Sequence, residues 1–106
     1  MGVRKSHKLK TWSELKQERF KRNPDEAFEY LKASLEENSD VPEAIVEAIR
    51  TVSESLDMSL EDVAKKAKMQ TSTLYKAFGK SGNPTLVTLT AVLKVMGLRL
   101  SVERLA

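Results

Sequence analysis

The sequence predicts a mainly α-helical chain that ends in a single β-strand, and three observations carry that expectation. Apolar residues recur at spacings of three and four through most of its 106 residues. Ser, Thr, Asn and Pro stand where those stripes begin, in the pattern of helix starts. One stretch, Leu98-Arg99-Leu100-Ser101-Val102-Glu103, alternates apolar with polar instead, which is the period of a strand.

Residues 1–10 are polar, basic and aperiodic, and read as a flexible arm. Thr11-Trp12-Ser13-Glu14 fits a capping box, in which a hydroxyl and a carboxylate reciprocally satisfy free amides at a helix start. The helix it opens runs to about Arg22 and is expected to bury Trp12, Leu15 and Phe20. Asn23-Pro24-Asp25-Glu26 restarts the chain as a second helix: an Asn cap, a proline where its missing N–H costs nothing, and two acids at the positive dipole end. That helix extends to about Glu37 with Ala27, Phe28, Leu31 and Leu35 on one face. After the turn Asn38–Val41, a third runs from Pro42 to about Leu56 and carries Ile45, Ile49, Val52 and Leu56 as a core stripe.

Ser59-Leu60-Glu61-Asp62 repeats the cap logic and starts a short helix to Ala67, with Leu60, Val63, Ala64 and Ala67 inward. Residues 71–78 make another, anchored by Leu74 and Phe78. Thr85 to Met96 follows with Leu86, Leu89, Val92 and Leu93 inward, and Gly97 is placed to end it. The organisation expected is a basic arm at 1–10, a helical extension at 11–41, and a domain at 42–106 that contains the strand.

A hydrophobic share of 41% beside 31% charged residues is that of a soluble globular protein, and no apolar run approaches the ~20 residues of a membrane span. The absence of cysteine excludes disulfides and thiolate metal sites and fits a reducing, cytoplasmic setting. With His7 in the arm as the only histidine, the sequence offers neither a metal-ligand cluster nor a catalytic acid–base pair, so no catalytic residue, metal or cofactor is expected. The net charge of +3 conceals a segregation. Residues 1–22 hold eight Lys/Arg and two Glu, residues 23–62 two Lys/Arg and twelve Asp/Glu, and residues 63–106 eight Lys/Arg and one Glu. Such asymmetry points to a nucleic-acid surface set apart from an acidic one, unless the runs are simply solvated helix faces.

Two readings compete for KMQTSTLYKAFGKSGNPT at 68–85. Gly79-Lys80-Ser81 resembles the end of a phosphate loop, but that loop needs a glycine five residues earlier, where Leu74 stands, and a preceding strand, where the pattern is helical. The turn 79–84 is better read as a helix end, with Thr85 capping the next helix. The other reading is a helix-turn-helix: Ala64 suits a close helix crossing, Val63, Ala67, Met69, Leu74 and Ala77 fall inward, and Gln70, Thr71, Ser72, Thr73, Tyr75 and Lys76 are left outside. On pattern alone, DNA binding and a helical domain without a nucleic-acid role both stay open.

SLEDVAKKAKMQTSTLYKAFGKSGNPTLVTLTAVLKVMGLRLSVE resembles the lambda-repressor-like, or Xre-type, helix-turn-helix domain, and in particular the antidote proteins of chromosomal toxin–antitoxin addiction modules, the HigA-like antitoxins. The LYKAF and GNP motifs and the closing GLRLSV carry the likeness, which covers about residues 43–104, with PDEAFEYLKASLEE at 24–37 similar to the family's acidic lead-in. The resemblance implies a lambda-repressor-like domain with an N-terminal helical extension, acting as a dimeric autorepressor on operator DNA and neutralising a small basic RelE/HigB-like toxin that cuts mRNA. Rival roles are a stand-alone Xre-type regulator and a helical interaction module without DNA.

The same resemblance places Thr71 and Ser72 at base edges, with Gln70 at the groove mouth and Lys76 a turn further on. It sets Lys80, Ser81, Asn83 and Thr85 on backbone phosphate. Tyr75 is expected either to contact phosphate or to be a partly buried core residue, with the core favoured slightly. Relatives usually have glycine where Lys68 stands, at a turn that favours positive φ, so a cost of about 1 kcal/mol is expected there. A lone strand has unpaired edges, so residues Leu98, Arg99, Leu100, Ser101, Val102 and Glu103 are expected to pair with those of a second copy. In that pairing Leu98, Leu100 and Val102 face the helices.

Overall fold

The computed structural model describes residues 9–105, so the expected basic arm, His7 included, falls almost wholly outside the described residues. Six helices follow in chain order: α1 (Trp12–Arg22), α2 (Pro24–Glu37), α3 (Pro42–Ser55), α4 (Leu60–Ala67), α5 (Thr71–Ala77) and α6 (Leu86–Val95). The first three pack on one another, and α4 packs on both α5 and α6. One apolar core joins the two groups, from Phe20, Ala27 and Leu31 through Val46, Ile49 and Val52 to Val63, Leu74, Phe78, Val92 and Leu93.

The helix starts follow the local chemistry. Thr11 and Glu14 form the reciprocal capping box, and Ser59 and Asp62 form a second. Thr85 Oγ1 accepts from the Thr88 N–H at 3.1 Å. Asn23 departs from expectation: its side chain caps no backbone amide, and its Nδ2 donates to Glu26 Oε2 at 3.0 Å instead.

Three helices end in one and the same way. In α3, α4 and α6 a residue with positive φ follows the last turn: Asp57 (φ 59°), Lys68 (φ 58°) and Gly97 (φ 80°). Each sends its N–H back to Glu54, Lys65 or Lys94, and the next residue's N–H reaches Ser53, Ala64 or Leu93, at 2.8–3.2 Å. This Schellman pairing satisfies carbonyls that a helix end otherwise leaves free. Gly97 adopts it without strain, and Lys68 has the positive φ expected of it. Asp57 carries the same left-handed backbone with no glycine to announce it.

Several side chains lie elsewhere than expected. Trp12 is 74% exposed and Leu15 45%, and only Phe20 of the expected trio is buried. The reason is angular: at 3.6 residues per turn Trp12 and Leu15 lie about 80° and 140° around α1 from Phe20. Leu86, at the first position of α6, is also exposed, because that end of the helix runs past the core. Among the described residues no strand forms. Residues 98–105 have no secondary structure, since a strand exists only in a ladder and the chain supplies no second extended segment to pair with it. Leu98 packs against the core, whereas Leu100 and Val102 are exposed rather than facing the helices.

The charge blocks fold onto each other. From α1, Arg19 pairs with Glu26 at 2.6 Å, Lys21 with Asp57 at 3.3 Å, and Gln17 donates to Glu54 at 3.0 Å. Lys16 lies 4.7 Å from the Tyr30 ring centroid, and Tyr30 in turn packs on Phe20 at 5.1 Å. Two cations of α1, Arg19 and Lys21, are therefore spent on the chain's own acids.

The strain at Lys68 is directly measurable. Lys68→Gly is expected to raise unfolding free energy by about 0.5–1 kcal/mol, the relief of left-handed strain less the entropy that glycine adds to the unfolded chain. Asp57→Gly should gain less, because Asp tolerates this backbone better than Lys. Urea unfolding of the two variants beside the parent checks both.

Candidate nucleic-acid interface

The candidate site is built on a helix too short to hold itself. Seven residues of α5 form under two turns, and its position is imposed by Leu74 (0% exposed) and by Phe78 at its C-cap (1%). The segment before it is fixed by the Lys68 turn, whose Met69 N–H bonds the Ala64 carbonyl at 2.9 Å and whose Met69 side chain joins the core. Ala64 and Val63 are buried, while Ala67 and Ala77 are half-buried, as the helix–turn–helix pattern requires.

The remaining positions form one polar surface. Gln70 is the exposed N-cap residue of α5 and makes no side-chain cap bond, so its amide is free for another partner. Thr71 is half-buried, Ser72 and Thr73 are exposed, and Lys76 lies four residues beyond Ser72 on the same helical face. Tyr75 is 54% exposed rather than partly buried in the core. It sits three residues from Ser72, beside Lys76, and so belongs to the candidate surface. Pattern reading could not assign it, because a tyrosine offers an apolar body and a polar tip in equal measure.

The turn after α5 folds tightly back over the helix end. Gly82 donates to the Gly79 carbonyl at 3.0 Å, and a Cβ on Gly82 would come within 2.1 Å of the Ala77 carbonyl oxygen. A Cβ on Gly79 would meet the Tyr75 carbonyl oxygen at 2.8 Å. Both glycines are thus there for close backbone approach, in keeping with the helix-end reading of the turn. Lys80, Ser81, Asn83 and Thr85 are all exposed along this turn, and Thr85 also serves as the cap of α6. The structure therefore brings the eight expected residues into one continuous stretch, the front of α5 and the turn that follows it. Lys65, Lys66 and Lys68 on α4 and its turn are exposed as well, and among the described residues none of the basic side chains from 65 to 80 forms an ion pair.

Sequence reading missed Arg50. From α3 its Nη1 donates to the Phe78 carbonyl at 3.0 Å, at the C-terminal end of α5. An arginine among core positions gives no sequence signal of such a bond. Among the described residues no group of His, Cys, Asp or Glu is placed to hold a metal ion.

A family model described as "Probable addiction module antidote protein" matches residues 12–104. The match takes in α1, which lies outside the stretch whose motifs carried the resemblance. No curated protein and no solved structure matches the chain.

Proposed function

Since the chain belongs to the probable addiction module antidote family, we propose that it is the antitoxin of a toxin–antitoxin pair and represses its own operon by binding operator DNA as a dimer. Membership places it among regulatory proteins that meet a toxin partner. The observation that carries the DNA half of the proposal is the exposed polar face of α5, held from behind by Leu74 and Phe78 and flanked by unpaired lysines. A short helix so anchored is the size and shape of a major-groove reader.

On this reading Thr71, Ser72, Thr73 and Lys76 address base edges, with Gln70 at the groove mouth. Tyr75, Lys80, Ser81, Asn83 and Thr85 address phosphate. Hydroxyls bond several bases and a Thr methyl packs on thymine, whereas Lys favours guanine O6 and N7. The working compartment is the cytoplasm, where operon and toxin meet. No helix among the described residues is long and apolar enough to cross a membrane.

The toxin half rests on the acids that α1 leaves free. Glu36, Glu37, Glu43 and Glu47 are exposed on α2 and α3 and engaged in no ion pair among the described residues. They form the surface proposed to meet a basic RelE/HigB-like toxin. The dimer is proposed to form through residues 98–103. Their exposed edges would pair antiparallel with a second copy, setting Arg99 near Glu103 of the other chain and covering Leu100 and Val102. Two-fold pairing asks for an inverted-repeat operator with half-sites about 34–36 Å apart.

Each part has its own test. Promoter binding in mobility-shift titrations should weaken steeply with salt. Lys80→Ala should lower affinity for all sequences alike, while Thr71→Ala and Lys76→Ala shift sequence preference by about 1–3 kcal/mol at a matched base. No retardation at low salt would sink the DNA reading. Reversing the charge of Glu36, Glu37, Glu43 and Glu47 together should slow association with the toxin and leave promoter binding nearly intact. Unchanged toxin affinity by calorimetry removes this surface from the interface. Truncation after Leu98, which keeps the Leu98–Leu93 bond, should give a monomer in sedimentation with operator affinity lost far more than stability. A truncated dimer moves the interface to the helices.

A further inference from the structure

The bond from Arg50 to Phe78 is, among the described residues, the one side-chain hydrogen bond that joins the first three helices to residues 60–105. It meets α5 at its C-terminal end, on the backbone of the buried Phe78. The N-terminal end of α5 is tied by the Schellman turn at Lys68 and Met69, and its middle by Leu74. At the other end the Phe78 side chain is buried, its N–H returns to Leu74, and its carbonyl is taken by the guanidinium. A positive group at a helix C-terminus is favoured by the helix dipole, and a charge-assisted bond is stronger and more directional than a neutral one. Arg50 is half-buried and forms no ion pair among the described residues, so no carboxylate competes for it.

We propose that Arg50 is the positioning residue of the candidate interface: by holding the Phe78 carbonyl it fixes the tilt of α5, and with it the angle at which Ser72, Thr73 and Lys76 meet the base edges. This rests on the DNA-binding reading of α5. Arg50 itself need touch no DNA. A seven-residue helix held by two buried side chains, Leu74 and Phe78, shifts its exposed face with any small tilt, and base-edge hydrogen bonds do not survive such a shift. Phosphate contacts, being long-ranged and less directional, do.

That difference supplies the test. Operator and unrelated duplex are titrated at one salt concentration with wild type, Arg50→Met and Arg50→Lys, and helical content is followed by circular dichroism at the same temperature. Arg50→Met is expected to lose operator affinity by about tenfold, the equivalent of one base contact poorly seated, with binding to unrelated duplex and the salt slope unchanged. Arg50→Lys, which keeps the charge and most of the stem, should recover part of the loss and remains the test if the Met variant fails to fold. Equal losses on both duplexes, with a salt slope smaller by about one, would make Arg50 a phosphate contact and overturn the proposal. Undiminished operator affinity in both variants overturns it alone. Wild-type protein that retards no duplex at low salt overturns the DNA reading and the proposal together.

Discussion

A helix of seven residues does not persist in water, because the nucleus that starts a helix is costly and so short a run recovers too little from propagation. Everything proposed for α5 therefore depends on the burial of Leu74 and Phe78. Complete burial of a leucine and a phenylalanine contributes about 1.5–3 kcal/mol each, which is enough to hold a helix that has no side-chain cap of its own. The same burial decides which side of α5 meets solvent. With Leu74 and Phe78 inward, Ser72, Tyr75 and Lys76 have nowhere to go but out, and the polar face follows from the apolar one.

That dependence explains what the sequence made legible. Apolar spacing and caps are local, and they placed all six helices and the inward positions Val63, Ala64 and Leu74, whereas the left-handed turn at Lys68 was expected only from the family resemblance. Long-range facts were not local. Trp12 and Leu15 looked like core because large apolar residues usually are, yet the side of α1 that packs is set by α2 and α3, which take Phe20. Leu86 lies on the same side of α6 as Leu93 and is exposed because the core ends before it does. The strand failed for a different reason: alternation marks a segment able to pair, and pairing belongs to two segments. Asp57 shows the limit from the other direction, since its left-handed turn comes from the Schellman geometry of α3 rather than from any turn residue of its own.

At the candidate interface the residue types were legible and their support was not. Gln70, Thr71, Ser72 and Lys76 were readable as outward polar positions on a short helix. Tyr75 was ambiguous by chemistry. Arg50 was invisible, because it lies 28 residues from the carbonyl it holds and no periodicity links a side chain to a distant backbone oxygen. Supporting contacts of this kind fall between elements, where sequence patterns carry the least information.

The charge distribution makes the same point at larger scale. Three charge blocks along the chain suggested a nucleic-acid surface set apart from an acidic one, and in three dimensions α1 turns Arg19 and Lys21 toward Glu26 and Asp57. Exposed pairs of this sort contribute little to stability, typically under about 1 kcal/mol each. Their larger effect is on the field: they set two cations of α1 against the acidic block, while among the described residues the lysines from 65 to 80 form no ion pair. An anionic ligand approaching the molecule is then drawn toward α4, α5 and the turn after it, and a cationic one toward the free acids of α2 and α3. The fold thus keeps a cationic and an anionic surface apart on one small chain, with two of the α1 cations paired internally.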